Sequence, residues 1–398
     1  MKDNWQHRAY LFLFSQNISL FGSMVTGFAI TWYISLKTNS GIWLSLATVC
    51  TLLPQIIVAL IGGSLADRYS RKWLIIFSDG GIALATLILL ILFSLGQQAM
   101  WLLLVFAAIR SIGQGLQQPA VSSAYPQLVP QNNLTQINGL NQTLMSLSNL
   151  LAPVIGGLIL ANFNLKFAFL IDIVTAIIEI SCLLSLHFPQ FIKVENEQPT
   201  IRQTLFGGLR YVRQTTVLKH LLFIYLSTFL FMVPVMVLSL LLIQRRYGAS
   251  VTNLTWQEVV WASGSIVGGL AITKQKKFKN NQHALTISVA LFGVIMATMG
   301  IMPNFSGYLF LVFGCGLVMP YMMTAQTVII QNTTVEQWMG RIFAVFQVAS
   351  NLMILVGTLL FGPLADYLPV QWLFILCGSL MLLCALIYYR QVTKVVKL

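Results

Sequence analysis

Gly62-Gly63-Ser64-Leu65-Ala66-Asp67-Arg68-Tyr69-Ser70-Arg71-Lys72 is a short polar island between two long apolar runs. It places two glycines, one acid and three bases in a link far too short to be a domain. Both flanking runs are long enough to cross a bilayer, so the island reads as a tight turn at a membrane surface. Its glycines let helices approach closely. Asp67 is suited to accept hydrogen bonds from a facing helix N-terminus or an arginine, and so to hold one conformation.

Composition extends this reading to the whole chain. The 398 residues are 57% hydrophobic and only 8% charged, with mean hydropathy +0.80. A soluble chain carries about 25% charged residues, so this one is expected to be a polytopic membrane protein. The net charge of +13 would suggest nucleic acid in a soluble protein. Here it is better explained by basic loops on the cytoplasmic side, and no nucleic-acid partner is expected. The five cysteines (Cys50, Cys182, Cys315, Cys377 and Cys384) lie in apolar runs without metal-ligand spacing. The four histidines are scattered, so neither a metal nor another cofactor is expected. The first apolar run is long and flecked with polar residues, which reads as a first span and not a cleaved signal.

Twelve lipid-length spans are expected at 10–36, 42–66, 73–95, 99–121, 139–161, 165–187, 219–243, 252–273, 282–302, 305–330, 338–363 and 369–390. The polar link 188–218 divides them into two six-helix halves, 1–187 and 219–398. The halves repeat. Gly115-Leu116-x-x-Pro119 returns as Gly316-Leu317-x-x-Pro320, and Gly139 returns as Gly340, both at an offset of 201 positions. Gly62-Gly63 has a counterpart in Gly268-Gly269. A half-chain repeat on twelve spans is the organisation of parallel-repeat transporters, whose substrate site lies between the halves at mid-bilayer. The fold class is therefore all-α, a twelve-helix membrane protein.

Several polar residues stand inside the spans. Arg110, Gln114 and Gln117 form a stripe at helical spacing on the fourth span. Arg110 is near its centre, where a charge either faces a cavity or pairs with a buried acid; both readings stay open. Asn138, Asn141, Gln142, Met145, Ser148 and Asn149 form a polar face on the fifth span, and Gln347, Ser350 and Asn351 a similar one on the eleventh. Asp79 lies in the third span, read as a structural partner of the Arg68/Arg71 turn. Asp172 and Glu179 lie one above the other on the sixth span, and Glu258 is in the eighth. A carboxyl in a drying and wetting seam exchanges protons, and Glu258, followed by the small residues Ser263, Gly264 and Ser265, is the leading carrier ahead of Asp172 and Glu179. Met319, Tyr321, Met322 and Met323, with Phe28, offer soft cavity walls. Trp32 and Tyr33 read more as an interfacial belt.

The opening island resembles the loop between helices 2 and 3 of the major facilitator superfamily, G-x-L-A-D-R-x-G-R-K. Gly63, Leu65, Ala66, Asp67, Arg68, Arg71 and Lys72 match, with Ser70 in place of a glycine. Arg110-Ser111-Ile112-Gly113-Gln114-Gly115 resembles the superfamily's helix 4 motif. Ser148-x-x-x-Ala152-Pro153-Val154-Ile155-Gly156-Gly157 resembles its antiporter motif, with Pro153 bending the helix and Gly156 and Gly157 packing against the other half. With Pro119-Ala120, Ile171-Asp172 and Gly340-Arg341-Ile342-Phe343, the chain as a whole is similar to the macrolide-efflux branch. That resemblance implies proton-coupled export of amphipathic small molecules by alternating access from a central cavity, with Arg341 and the island as gating elements. It implies a monomer in a bacterial cytoplasmic membrane, powered by the proton gradient and no cofactor. Glu179 stands where that branch usually has a small or apolar residue. Siderophore exporters share the branch, so a siderophore or lipid exporter is the alternative. A membrane enzyme would need clustered acids or histidines at the surface, which the sequence lacks. No G-x-x-x-x-G-K-[ST] motif is present, so the chain carries no ATP site of that kind.

Orientation follows from the bases. Eighteen of them, from Lys2 and Arg8 through the island and the central link to Lys397, fall on the side of both termini. Four (Lys37, Lys166, Arg245 and Arg246) fall on the other. Both termini and the link are thus expected in the cytoplasm. Single cysteines placed in 188–218 of a variant lacking the native ones should resist an impermeant thiol reagent in intact cells. Labelling from outside would reverse the topology.

Overall fold

The computed structural model describes residues 5–186, 188, 201–274 and 280–395. Fourteen α-helices run through them, and the described residues contain no strand. The first six are α1 (Trp5–Thr38), α2 (Gly41–Arg68), α3 (Arg71–Ser94), α4 (Met100–Leu128), α5 (Leu134–Asn162) and α6 (Leu165–Ser185). The others are α7 (Ile201–Gln214), α8 (Thr216–Phe231), α9 (Ser239–Arg246), α10 (Val251–Lys274), α11 (Asn281–Ile301), α12 (Phe305–Thr333), α13 (Glu336–Tyr367) and α14 (Val370–Val395). Eleven segments are long and apolar enough to cross a membrane. They include α8 and α9 taken together, joined through a π-turn at Pro234–Leu238. Pro234 lacks the N–H that would continue the α-helix, which accounts for the break. The twelfth crossing is α10, 24 residues long; Asn253, Gln257 and Glu258 lower its hydropathy.

The structure refines several expectations. The opening island is mostly helix: α2 runs to Arg68 and α3 begins at Arg71, so only Tyr69 and Ser70 link them. The side chains of Gly63, Asp67 and Arg68 lie outside the described residues, as do Lys193, Lys276, Lys277 and Lys279. The link 188–218 contains α7, whose Gly207 and Gly208 face Trp338, Arg341 and Val345 at the start of α13. Tyr211 stacks on Trp338 at 5.4 Å, and the Arg341 guanidinium lies 4.8 Å from the same ring. Trp32, expected in a belt, is 1% exposed and packs edge-on against Phe28.

The chain forms two compact units. Unit 1 comprises residues 1–37 and 46–197; unit 2 comprises 38–45 and 198–398. In unit 1, α3 packs on α4 and α6. In unit 2, α11 packs on α14 and α12, α10 on α12, and α8 on α13 and α14. The strap 38–45, which includes the first turn of α2, belongs to unit 2. Asp366 of α13 holds it, accepting from Ser40 Oγ at 2.7 Å and from the Gly41 and Ile42 N–H groups at 2.7 and 3.0 Å. Arg245 at the end of α9 donates to the same carboxylate at 3.1 Å and to the Asn39 carbonyl at 2.7 Å. An acid thus caps the N-terminus of α2 from a distant helix.

Close approach is made by glycine, and the two repeats do it alike. A Cβ on Gly115 of α4 would sit 2.8 Å from the Gln55 carbonyl of α2. A Cβ on Gly316 of α12 would overlap the Trp261 carbonyl of α10. Gly156 faces Val25 and Phe28 of α1, and Gly264 faces Phe313 of α12. Both glycines therefore pack within their own units; for Gly156 the expected packing was against the other half. Gly139 and Gly340 have open space around the Cβ position among the described residues.

Gly115→Val and Gly316→Val should each destabilise the protein by about 1–3 kcal/mol through overpacking. Gly139→Ala and Gly340→Ala should be neutral or stabilising by a few tenths to ~1 kcal/mol. Thermal unfolding of the purified variants in detergent checks the contrast.

Candidate functional site

The buried polar residues of unit 1 form two adjoining clusters. In the first, the Arg110 guanidinium on α4 pairs with Asp172 on α6; the two side chains are 6% and 2% exposed. Thr86 of α3 donates to the same carboxylate at 2.7 Å and accepts from Arg110. Ser23 of α1 donates to its other oxygen at 2.8 Å. One ion pair thus joins four helices, and each charge sits beside its counter-charge. Arg110 resolves as an ion-pair residue that also lines a cavity. Asp172, a carrier candidate from sequence, has both oxygens engaged.

The second cluster contains Asp79. Asp79 of α3 is buried, with Glu179 of α6 and Gln117 of α4 within its electrostatic reach; the side chain of Arg68, one of its expected partners, lies outside the described residues. Arg71, the other expected partner, donates to the Ser123 carbonyl at 2.5 Å. Glu179 accepts from Gln16 of α1, and Ser19 of α1 is within its electrostatic reach. Asp79 is 3% exposed and Glu179 fully buried. Asp79 Oδ2, Glu179 Oε2 and Gln16 Oε1 have no hydrogen-bond donor among the described residues.

Each cluster opens on a cavity, and the helix 4 stripe is divided between them. Arg110 and Gln114 line a small one of about 50 Å³ with Ser23, Thr31, Thr51 and Ser111. Gln117 lines a cleft of about 180 Å³ with Gln16, Asn17, Gln118, Tyr125, Asn141 and Met145. Asn141, from the polar face of α5, accepts from Asn17 at 2.9 Å and from the Tyr125 hydroxyl at 3.2 Å. The lining of the larger cleft carries amides and hydroxyls but no charge. A drug-sized ligand fills ~300–1,000 Å³, so the cleft suits one polar arm of such a ligand.

Other expected site residues are placed differently. Glu258 on α10 is half-buried and accepts from its neighbour Gln257 at 3.3 Å. Gln257 in turn accepts from Tyr308 at 2.7 Å and donates to Ser239 at 3.2 Å. Met322 is fully buried, while Met319 and Met323 are part-buried. Pro153 and Gly157 are buried inside α5. Sequence reasoning missed Gln16, Ser23 and Thr86. The run Ser15-Gln16-Asn17 with Ser19 in an otherwise apolar span was the available signal.

Twelve membrane-length helices, with an ion pair and two further carboxyls buried inside them, define a polytopic transporter architecture. The chain belongs to the Major Facilitator Superfamily, whose sequence profile matches residues 12–358. It is a multi-pass membrane transporter of small molecules and not an enzyme. Macrolide efflux protein A of Streptococcus pyogenes is 28% identical over 401 residues, 100% of this chain and 98% of its own. The Staphyloferrin A transporter of Staphylococcus aureus is 20% identical over 390 residues, 95% of each chain. Among solved structures, the nucleoside transporter NupG covers 98% of this chain and 99% of its own with TM-score 0.75 at 13% identity, a likeness of fold.

Asp172→Ala should destabilise unit 1 by roughly 3–5 kcal/mol, because it leaves the Arg110 charge buried and unpaired. Replacing both partners, Arg110→Met with Asp172→Leu, should restore most of that stability. Thermal unfolding of the single and double variants in detergent reads the difference. Equal destabilisation by both would mean that the pair is not the source.

Proposed function

We propose that the chain exports amphipathic small molecules of the macrolide type across the bacterial cytoplasmic membrane in exchange for protons, by alternating access. The observation that carries this reading is the full-length identity to Macrolide efflux protein A. The proton half is supported by carboxyls held within membrane-length helices, where ion pathways are expected. The cleft's amides and hydroxyls suit the sugar hydroxyls and ring oxygens of such a drug. A monomer with both termini in the cytoplasm fits the same reading. A siderophore exporter is the second reading, supported by the Staphyloferrin A relative.

Uptake into inverted membrane vesicles separates the two. Radiolabelled erythromycin should accumulate only when the vesicle lumen is acidified, and a protonophore should abolish accumulation. Uptake indifferent to the gradient would remove the proton half. Gradient-driven uptake of a siderophore, with none of erythromycin, would move the chain to the second reading.

A further inference from the structure

The helix α7 of unit 2 has one face held by packing and one left open. Its sequence, Ile201–Gln214, carries three arginines and no acid. The inner face is spoken for. A Cβ on Gly207 would sit 3.3 Å from the Trp338 ring, and one on Gly208 would sit 2.8 Å from Val345 and 3.0 Å from the Arg341 carbonyl. Val212 is fully buried, and Tyr211 stacks on Trp338. Two successive glycines thus let α7 lie close along the start of α13, and that contact fixes which face turns outward. The outward face carries Phe206, Arg210 and Arg213, spaced as neighbours on one side of a helix. All three are exposed, Phe206 to 64%.

Neither Arg210 nor Arg213 forms an ion pair or a side-chain hydrogen bond among the described residues. Lys219, also exposed, adds a base at the start of α8. The helix α7 is not itself a crossing, but Thr215 alone separates it from α8, and the span Thr216–Arg246 begins there. Both arginines therefore stand within two turns of chain of a membrane surface. An exposed aromatic ring among bases is unfavourable in water. It is favourable at the boundary of headgroups and acyl chains, where the ring enters the apolar layer and the guanidinium groups meet phosphate. We propose that the outward face of α7 binds anionic phospholipid, with Arg210 and Arg213 on the headgroup and Phe206 against the acyl chains. The proposal rests on neither the substrate nor the proton reading above.

Charge selects the partner. A helix with bases and no acid prefers a negative headgroup to a zwitterionic one. A soluble acidic protein would meet the same bases, but it would not account for Phe206 or for the junction with a crossing. Arg341 is outside the site, because its guanidinium is already placed on the Trp338 ring at 4.8 Å. Each base near an anionic surface is worth about fivefold in affinity. Arg210 and Arg213 together thus account for a preference of roughly 30-fold for the anionic lipid. Because both charges are exposed, salt screens them: the Debye length falls from ~8 Å at physiological ionic strength to ~3 Å at about 1 M. A lipid seated on this face also bears on the inner one, where α7 meets Trp338.

Two measurements on the full chain test this. In the first, Phe206→Cys in a variant lacking the native cysteines carries a bimane label and is reconstituted in lipid nanodiscs. Nitroxide-bearing phosphatidylglycerol in a phosphatidylcholine background should quench the label at a far lower mole fraction than nitroxide-bearing phosphatidylcholine. Adding Arg210→Gln and Arg213→Gln should raise the half-quenching mole fraction of phosphatidylglycerol by roughly 30-fold, to that of phosphatidylcholine. Salt at about 1 M should do so in part. Equal quenching by the two lipids before the arginines are changed, or a preference that survives the change, overturns the proposal. Quenching by neither lipid also overturns it and leaves the face to a soluble acidic partner. The second measurement needs no cysteine replacement. In native mass spectrometry from mixed lipid, the wild type should retain more phosphatidylglycerol than Arg210→Gln with Arg213→Gln. Equal retention overturns the site.

Discussion

The Arg110–Asp172 ion pair is the interaction around which unit 1 is arranged. A charge at the centre of a lipid-length helix has no water to turn to, so it must find its opposite within the protein. Here that requirement draws in α1 through Ser23, α3 through Thr86, α4 through Arg110 and α6 through Asp172. Because the pair fixes α6 against α3, it also fixes Glu179, two turns further along α6, within electrostatic reach of Asp79. The position of these two acids is thus a consequence of the neutralised charge beside them.

Much of the fold was legible because lipid simplifies the code. Apolar length marks a crossing, and twelve such lengths with a half-chain repeat define the architecture with little reference to any particular side chain. The repeat was informative beyond its pattern. Gly115 and Gly316 were matched by position, and both approach a backbone carbonyl of the helix two crossings earlier. What the sequence did not carry was partner choice. Asp79 lies near Arg71 in sequence, and charge alone favours that pairing. In space α3 packs on α4 and α6, which bring Gln117 and Glu179 within electrostatic reach of Asp79. Gly156 and Gly264 were likewise readable as close-packing residues but not as to which helix they pack on. Trp32 has the character of an interfacial residue, but its side chain is buried against Phe28. These failures share one cause: helical spacing fixes a face, and only tertiary packing fixes what that face meets.

The two clusters illustrate two ways of keeping polar groups in an apolar medium. The first is closed around one ion pair, with a hydroxyl on each oxygen of the carboxylate. The second is left with more acceptors than donors, and neutral amides connect it to a cleft. An arrangement of the first kind rigidifies, since any change leaves a charge exposed to low dielectric. One of the second kind leaves desolvated acceptors unanswered, which costs free energy wherever water is excluded.

The strap at residues 38–45 has a consequence for how the protein is made. Gly41 and its cap Asp366 are separated by 325 positions, so the N-terminus of α2 is synthesised long before the carboxylate that satisfies it. At ~5–20 residues per second that interval is roughly 16–65 s. During it the first turn of α2 keeps its N–H groups in water at the bilayer surface, and Asn39 has no arginine to hold its left-handed conformation. Capping becomes available only when α13 has been completed and threaded. The strap therefore closes only on a chain made past α13: a product truncated earlier leaves this helix end uncapped.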